Sequence, residues 1–102
     1  KTNVVQLKNN EISDLIIDPK ELNIGADNFN NLLGDDAQFN ANKMIDIFNG
    51  EDNDFSKAVC LNAAAGLMVA GKFNEFKTAY DEARKHILSG LTIKYINKIK
   101  NV

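Results

Sequence analysis

Several short runs in this chain carry residue types that could do chemistry. Gly66-Leu67-Met68-Val69-Ala70-Gly71-Lys72 has the spacing of a phosphate-binding loop. That loop needs a hydroxyl after the lysine to hold magnesium, and a strand before it. Phe73 follows instead, and the residues between the glycines belong to a helical pattern. Phosphate binding is therefore not expected here. Asp52-Asn53-Asp54-Phe55-Ser56 opens like a calcium loop. The sixth position is Lys57 where a glycine is needed, and the twelfth is Ala63 where a bidentate glutamate is needed. The run reads as a helix-capping connector.

Asp81-Glu82 offers two adjacent carboxylates, but neighbours on a helix point about 100° apart and converge poorly on one ion. A surface pair of Asp81 with Lys85 is the expected role. His86 is the one histidine, with no second His or Cys near it in sequence. It reads as a cation at a helix C-terminus or as a partly exposed packing residue. Cys60 lies in the most apolar stretch of the chain, where a thiolate is disfavoured, so an inert core thiol is expected. Asn62 interrupts the same stretch. A buried amide must be bonded or costs about 1–3 kcal/mol, so Asn62 is expected to lock onto backbone groups of a neighbouring loop or strand.

The elements that position these residues follow from pattern. Ser56–Gly71 is apolar or glycine from Ala58 to Ala70 except at Asn62. That predicts a helix buried on all sides, started by Asp54 or Ser56 and too short for a bilayer, which needs about 20 apolar residues. Lys1–Leu7 and Glu11–Ile17 read as two strands joined by a turn at Asn9-Asn10. Asp18-Pro19-Lys20-Glu21 reads as a capped helix start, cut short at Gly25. Residues 27–33 read as a polar loop anchored by Phe29, Leu32 and Leu33. Asp35–Asn49 is a predicted helix with a stripe of Ala37, Ala41, Met44, Ile45 and Phe48, stopped at Gly50. Asn74–Ser89 is a second amphipathic helix, capped by Asn74 and striped by Phe76, Ala79, Tyr80, Ala83 and Ile87. Gly90 breaks it. Leu91, Tyr95 and Ile99 resume helical spacing to the C-terminus after Ser89.

The chain has 102 residues, 44 % of them hydrophobic, and a net charge of −2. This suffices for one domain or less. The acidic balance, with a pI near 5.3, argues against nucleic-acid and anionic-membrane partners. A lone cysteine and the absence of a signal-peptide core fit a reducing cytoplasm. Residue pattern alone thus gives a short β-hairpin followed by about four helices, and no function.

Function enters through a resemblance. Ile12–Gly25 (ISDLIIDPKELNIG), Leu33–Glu51 (LGDDAQFNANKMIDIFNGE), Ala58–Gly71 (AVCLNAAAGLMVAG) and the step from Ala83 to Ser89-Gly90 resemble, in order and spacing, the C-terminal end of the anthranilate phosphoribosyltransferase family. The Leu61-Asn62-Ala63-Ala64 element is its most specific part. The resemblance implies an α/β fold, or α+β for these residues taken alone. Residues 1–102 would form one partial domain, with a hairpin at 1–17 and a helical portion at 18–102. It implies a parent enzyme that transfers phosphoribosyl from phosphoribosyl pyrophosphate to anthranilate, with magnesium, in tryptophan biosynthesis. The family's Gly-Thr-Gly-Gly-Asp loop, Lys-His-Gly-Asn segment and magnesium-binding Asp-Glu pair have no counterpart here. Lys85-His86 continues as Ile-Leu, and Asp81-Glu82 stands in another context. No catalytic, substrate-binding or metal residue is carried over. An inactive structural fragment is expected, with magnesium bound elsewhere in the parent. Its hairpin is expected to leave an open edge and an apolar face that pair with another copy. The alternatives are a nucleic-acid-binding relative of the same fold or a helical interaction module.

Overall fold

The computed structural model describes residues 1–24 and 29–100. Strands β1 (Thr2–Lys8) and β2 (Glu11–Ile17) form an antiparallel hairpin, and four helices follow: α1 (Ala37–Phe48), α2 (Asp54–Val69), α3 (Phe76–Leu88) and α4 (Leu91–Lys100). This is the expected architecture of a hairpin and four helices.

Asn9 and Asn10 make the hairpin possible. Both take positive φ (53° and 64°), the left-handed pair that a two-residue turn requires and that asparagine tolerates. The turn sets Lys8 opposite Glu11, Leu7 opposite Ile12, Val5 opposite Asp14 and Asn3 opposite Ile16. Val4, Leu15 and Ile17 are half-buried on one face, while Val5, Leu7, Ile12 and Ile16 lie exposed on the other.

After the hairpin the chain makes one tight turn, and the helix expected at Asp18-Pro19 does not develop. Asp18 accepts from the Lys20 amide at 3.0 Å, and the Ile24 amide closes back onto the Pro19 carbonyl at 2.8 Å. Asn23 then turns left-handed at φ 59°, which ends the coil before a second turn can form. Ile24 is buried. Gly25, residues 27–28 of the expected loop and the anchoring of Phe29 lie outside what the structure describes. Phe29–Leu32 forms a short 3-10 turn. Leu32 is half-buried, but the expected anchor Leu33 is exposed.

Asp36 caps α1 by accepting from the Phe39 amide at 2.8 Å. Asn40 holds the turn before it, accepting from the Asp35 amide at 3.0 Å and donating to the Asp35 carbonyl at 3.2 Å. Gly34 faces this carboxamide so closely that a Cβ there would lie 2.7 Å from Asn40 Oδ1. The predicted stripe is shifted: Ile47 and Phe48 are buried, Met44 and Ile45 half-buried, and Ala37 and Ala41 exposed. Only the C-terminal half of α1 meets α3 and α4, so only that half selects a buried face.

The expectation for α2 needs a larger correction. It is not buried all round. Cys60 and Ala64 are buried with Asp54 and Ser56, but Ala65 and Gly66 are exposed and Val69 is 90 % exposed. Its small residues pack closely against α3 on one side only. Its cap is Asn53, not Asp54 or Ser56. Asn53 accepts from the Ser56 amide at 2.9 Å, and Ser56 Oγ accepts from the Asn53 amide at 2.8 Å, a reciprocal capping box.

Helix α3 carries the predicted stripe, with Ala79, Tyr80, Ala83 and Ile87 buried and Phe76 half-buried. Glu75 occupies its cap position without a side-chain bond. Asn74, the expected cap, instead accepts from Lys8 Nζ at 3.3 Å. In α4 the predicted face is the wrong one. Ile93 and Ile96 pack on the core, while Leu91, Tyr95 and Ile99 are each more than half exposed. The core is a helical cluster of Ile24, Ile47, Phe48, Cys60, Ala64, Ala79, Tyr80 and Ile87.

Candidate functional site

The densest set of chemically capable side chains lies where the α1–α2 connector meets α2 and α3. Asp52 stands just before the Asn53 cap. Its Oδ1 accepts from Ser56 Oγ at 3.1 Å, and its Oδ2 is ion-paired with the Arg84 guanidinium on α3. Cys60 follows Ser56 by one helical turn and is 2 % exposed; Tyr80 precedes Arg84 by one turn and is 3 % exposed. The sequence thus brings an acid, a hydroxyl, a thiol, a phenol and a cation into one region through i, i+4 steps on two packed helices.

The electrostatics of this cluster favour the charged forms of Asp52 and Arg84 and the neutral forms of Cys60 and Tyr80. The hydrogen bond from Arg84 keeps the Asp52 carboxyl below its ordinary value of 3.8, against the opposing effect of burial. Arg84 is pushed up, first by that bond. Burial raises the Cys60 thiol, with the Asp52 charge adding to it. Burial also pushes the Tyr80 phenol to about 12. A nucleophilic cysteine needs a lowered pKa and access to a substrate; Cys60 has neither. The cluster joins two helices, and Cys60 is buried in the core, where its sequence context placed it.

The phosphate-loop lookalike is the end of α2. Gly71, at φ 75°, lets the chain reverse. Its amide bonds the Met68 carbonyl at 3.0 Å, and the Lys72 amide bonds the Leu67 carbonyl at 3.1 Å, a Schellman closure. Those N–H groups are spent on the helix, and a helix C-terminus is the negative end of its dipole. The arrangement offers no cradle of free N–H groups of the kind a phosphate-binding loop provides.

The calcium-loop lookalike is also taken up internally. Asp52 is paired with Arg84, and Asp54 pairs with Lys57 at 3.4 Å. Asp81 pairs with Lys77 at 2.6 Å rather than with the expected Lys85, because the pair looks toward the N-terminus of α3. Asn62 is exposed and donates to the Ala58 carbonyl of its own helix at 2.8 Å. It therefore makes no link to a neighbouring loop or strand. Among the described residues no three His, Cys, Asp or Glu side chains converge as a metal-binding group. Asp52, Asp54 and Asp81 do not fit a magnesium site, since their charge is answered by Arg84, Lys57 and Lys77.

His86 sits exposed in the last turn of α3. With Glu82, one turn earlier, it borders an open apolar groove of about 490 Å³ whose floor includes Phe48, Ala63, Leu67 and Ile87. Sequence reasoning missed Arg84 and Asn53. Arg84 is the chain's single arginine, a signal that was present. Its partner lies 32 residues away, beyond any helical periodicity.

The described residues thus form a hairpin followed by four helices. Residues 1–93 match the family model described as the glycosyl transferase family, a/b domain. The chain belongs to this family. Among curated relatives, anthranilate phosphoribosyltransferase of Pelagibacter ubique is 69 % identical over all 102 residues, which span 31 % of that protein. The enzyme of the same name from Alkaliphilus metalliredigens is 33 % identical over 97 % of the chain and 29 % of its own length. That of Azospirillum brasilense is 38 % identical over 87 % of the chain and 25 % of its own length. The chain thus spans less than a third of the curated relatives it matches. No solved structure matches it.

Proposed function

We propose that these 102 residues are the C-terminal structural part of an anthranilate phosphoribosyltransferase. The observation that carries the proposal is 69 % identity to a relative of that name across the whole chain, together with the family match over residues 1–93. In the parent reaction the anthranilate nitrogen bonds to the anomeric carbon of phosphoribosyl pyrophosphate. The carbon–oxygen bond to pyrophosphate breaks, pyrophosphate leaves with the electron pair, and the nitrogen gives up a proton. This belongs to tryptophan biosynthesis.

The role assigned to this chain is support. Asp52, Asp81 and Arg84 are ion-paired and Cys60 and Tyr80 are buried, and we assign this chain no base, nucleophile or metal cradle. Magnesium is assigned to residues outside this segment, and no step of the reaction is routed through the side chains described above. A cytoplasmic setting accords with the single free, buried cysteine; no helix among the described residues is long and apolar enough to cross a membrane. The net charge of −2 weighs against nucleic acid as partner.

The test is direct. The chain is incubated with anthranilate, phosphoribosyl pyrophosphate and magnesium, and pyrophosphate release is followed. No conversion above the uncatalysed rate is expected. Clear turnover would place catalytic groups within these residues and contradict the supporting role.

A further inference from the structure

Asn49-Gly50 is the single Asn-Gly step in the sequence. Glycine sets no side chain between its own amide nitrogen and the preceding carboxamide, so this is the step at which asparagine most readily closes on the next nitrogen. The step ends α1. Asn49 is the C-cap residue, at φ −87° and ψ 3°, and both residues are exposed. Gly50 turns left-handed at φ 106°, and a Cβ built on it would meet nothing within 4 Å.

The backbone holds the two reacting atoms apart. Ring closure needs the Gly50 nitrogen to eclipse the Asn49 side chain about the Cα–C bond. At ψ 3° it eclipses the Asn49 amide nitrogen instead, about a third of a turn away, because the substituents of Cα are tetrahedral. The Gly50 N–H donates to the Ile47 carbonyl at 2.9 Å, and the Glu51 N–H donates to the Asp46 carbonyl at 3.0 Å. Both donors lie beyond the bond that must rotate, and both acceptors lie before it. Turning the nitrogen toward the carboxamide therefore breaks both bonds and opens the last turn of α1.

We propose that Asn49 is a deamidation site, closed in the folded chain and opened with the last turn of α1. In the open form the Gly50 nitrogen bonds to Asn49 Cγ. The Cγ–Nδ2 bond breaks, and ammonia leaves with the proton that Gly50 gives up. Water then splits one of the two imide C–N bonds. Splitting at Cγ gives aspartate; splitting at the main-chain carbonyl gives isoaspartate. Nothing is oxidised or reduced. Either product sets a carboxylate beside Glu51 at the negative end of the α1 dipole. Isoaspartate also adds one atom to the main chain inside the turn that Gly50 and Glu51 close. Both changes disfavour reclosure, so the modification leaves a lasting record that α1 has opened.

The 102-residue chain is incubated at neutral pH in buffer and in urea, and conversion at each asparagine is followed by peptide mapping. In urea, Asn49 should convert faster than every other asparagine. In buffer, its conversion should slow by the factor that protects the Gly50 amide from hydrogen exchange, to within about tenfold, since one opening exposes both. Ile47→Ala loosens the turn from beneath and should speed conversion and exchange together; a variant that unfolds should show the urea rates for both. Slow conversion of Asn49 in urea would overturn the site. An unprotected Gly50 amide in buffer, or conversion as fast in buffer as in urea while that amide is protected, would overturn its closure by the fold.

Discussion

Asp52 and Arg84 are ion-paired across 32 residues of sequence, joining the start of α2 to the middle of α3. The pair is 40–44 % exposed, so solvent screens it, and exposed pairs contribute about 0–1 kcal/mol. Its larger effect is positional. It holds the Asn53–Ser56 capping box against α3, because Ser56 donates to the same carboxylate at 3.1 Å.

Replacing Arg84 with Met should lower stability by less than about 1 kcal/mol at neutral pH, by the ordinary yield of an exposed pair. The sign with pH follows from the direction of the shift. Asp52 is held below 3.8 in the folded chain, so its contribution is complete above that value and fades as pH falls through the lower folded value. Urea unfolding of wild type and Arg84→Met should therefore differ at pH 7 and converge in acid below about pH 3.8.

The cap itself should matter more than the ion pair. Asn53→Ala removes the acceptor for the Ser56 amide at 2.9 Å, and losing such a cap costs about 0.5–2 kcal/mol. Urea unfolding of wild type and Asn53→Ala measures it, and an unchanged midpoint would contradict the assignment of Asn53 as the cap.

Ile47 is fully buried, although its neighbours Met44 and Ile45 attracted the sequence reading. Ile47→Ala should cost about 2–5 kcal/mol, and Ile45→Ala clearly less, because the cavity term applies only where packing is complete. The midpoints of urea unfolding compare the two.

Tyr80 gives an alkaline signature. Its phenol ionises near 10 when unfolded and at about 12 when folded. The unfolded chain therefore releases its proton first, and stability falls as pH rises from about 10 to 12. Tyr80→Phe should flatten that slope, read from unfolding midpoints in this window.

The hairpin, the stops at Gly50 and Gly90 and the stripe of α3 were legible in sequence because each depends on neighbours within one or two turns. Asn9-Asn10 declares its turn without help from the rest of the chain. The burial of α2 was not legible. Its Ala and Gly residues are apolar enough to be buried, but which face is covered depends on where α3 docks. Helix α4 carries two apolar faces, Ile93 with Ile96 and Leu91 with Tyr95 and Ile99. Spacing favoured the longer one; the reversal at Gly90, φ 86°, turned the shorter one inward. Asp52–Arg84 joins two elements through tertiary packing, and no local pattern announces it. That Gly66–Lys72 is a helix end and not a loop after a strand was legible, since the apolar run before Gly71 already reads as helix.

The central claim is that this chain supports a phosphoribosyl transfer carried out by residues elsewhere in the parent enzyme. It is tested by exchanging the matching segment of the Pelagibacter ubique relative, 69 % identical over 102 residues, for this chain and measuring turnover of anthranilate with phosphoribosyl pyrophosphate. The chimera should keep kcat/KM within about tenfold of the unaltered relative, a difference of about 1.4 kcal/mol in transition-state stabilisation. A folded chimera with no turnover would contradict the account.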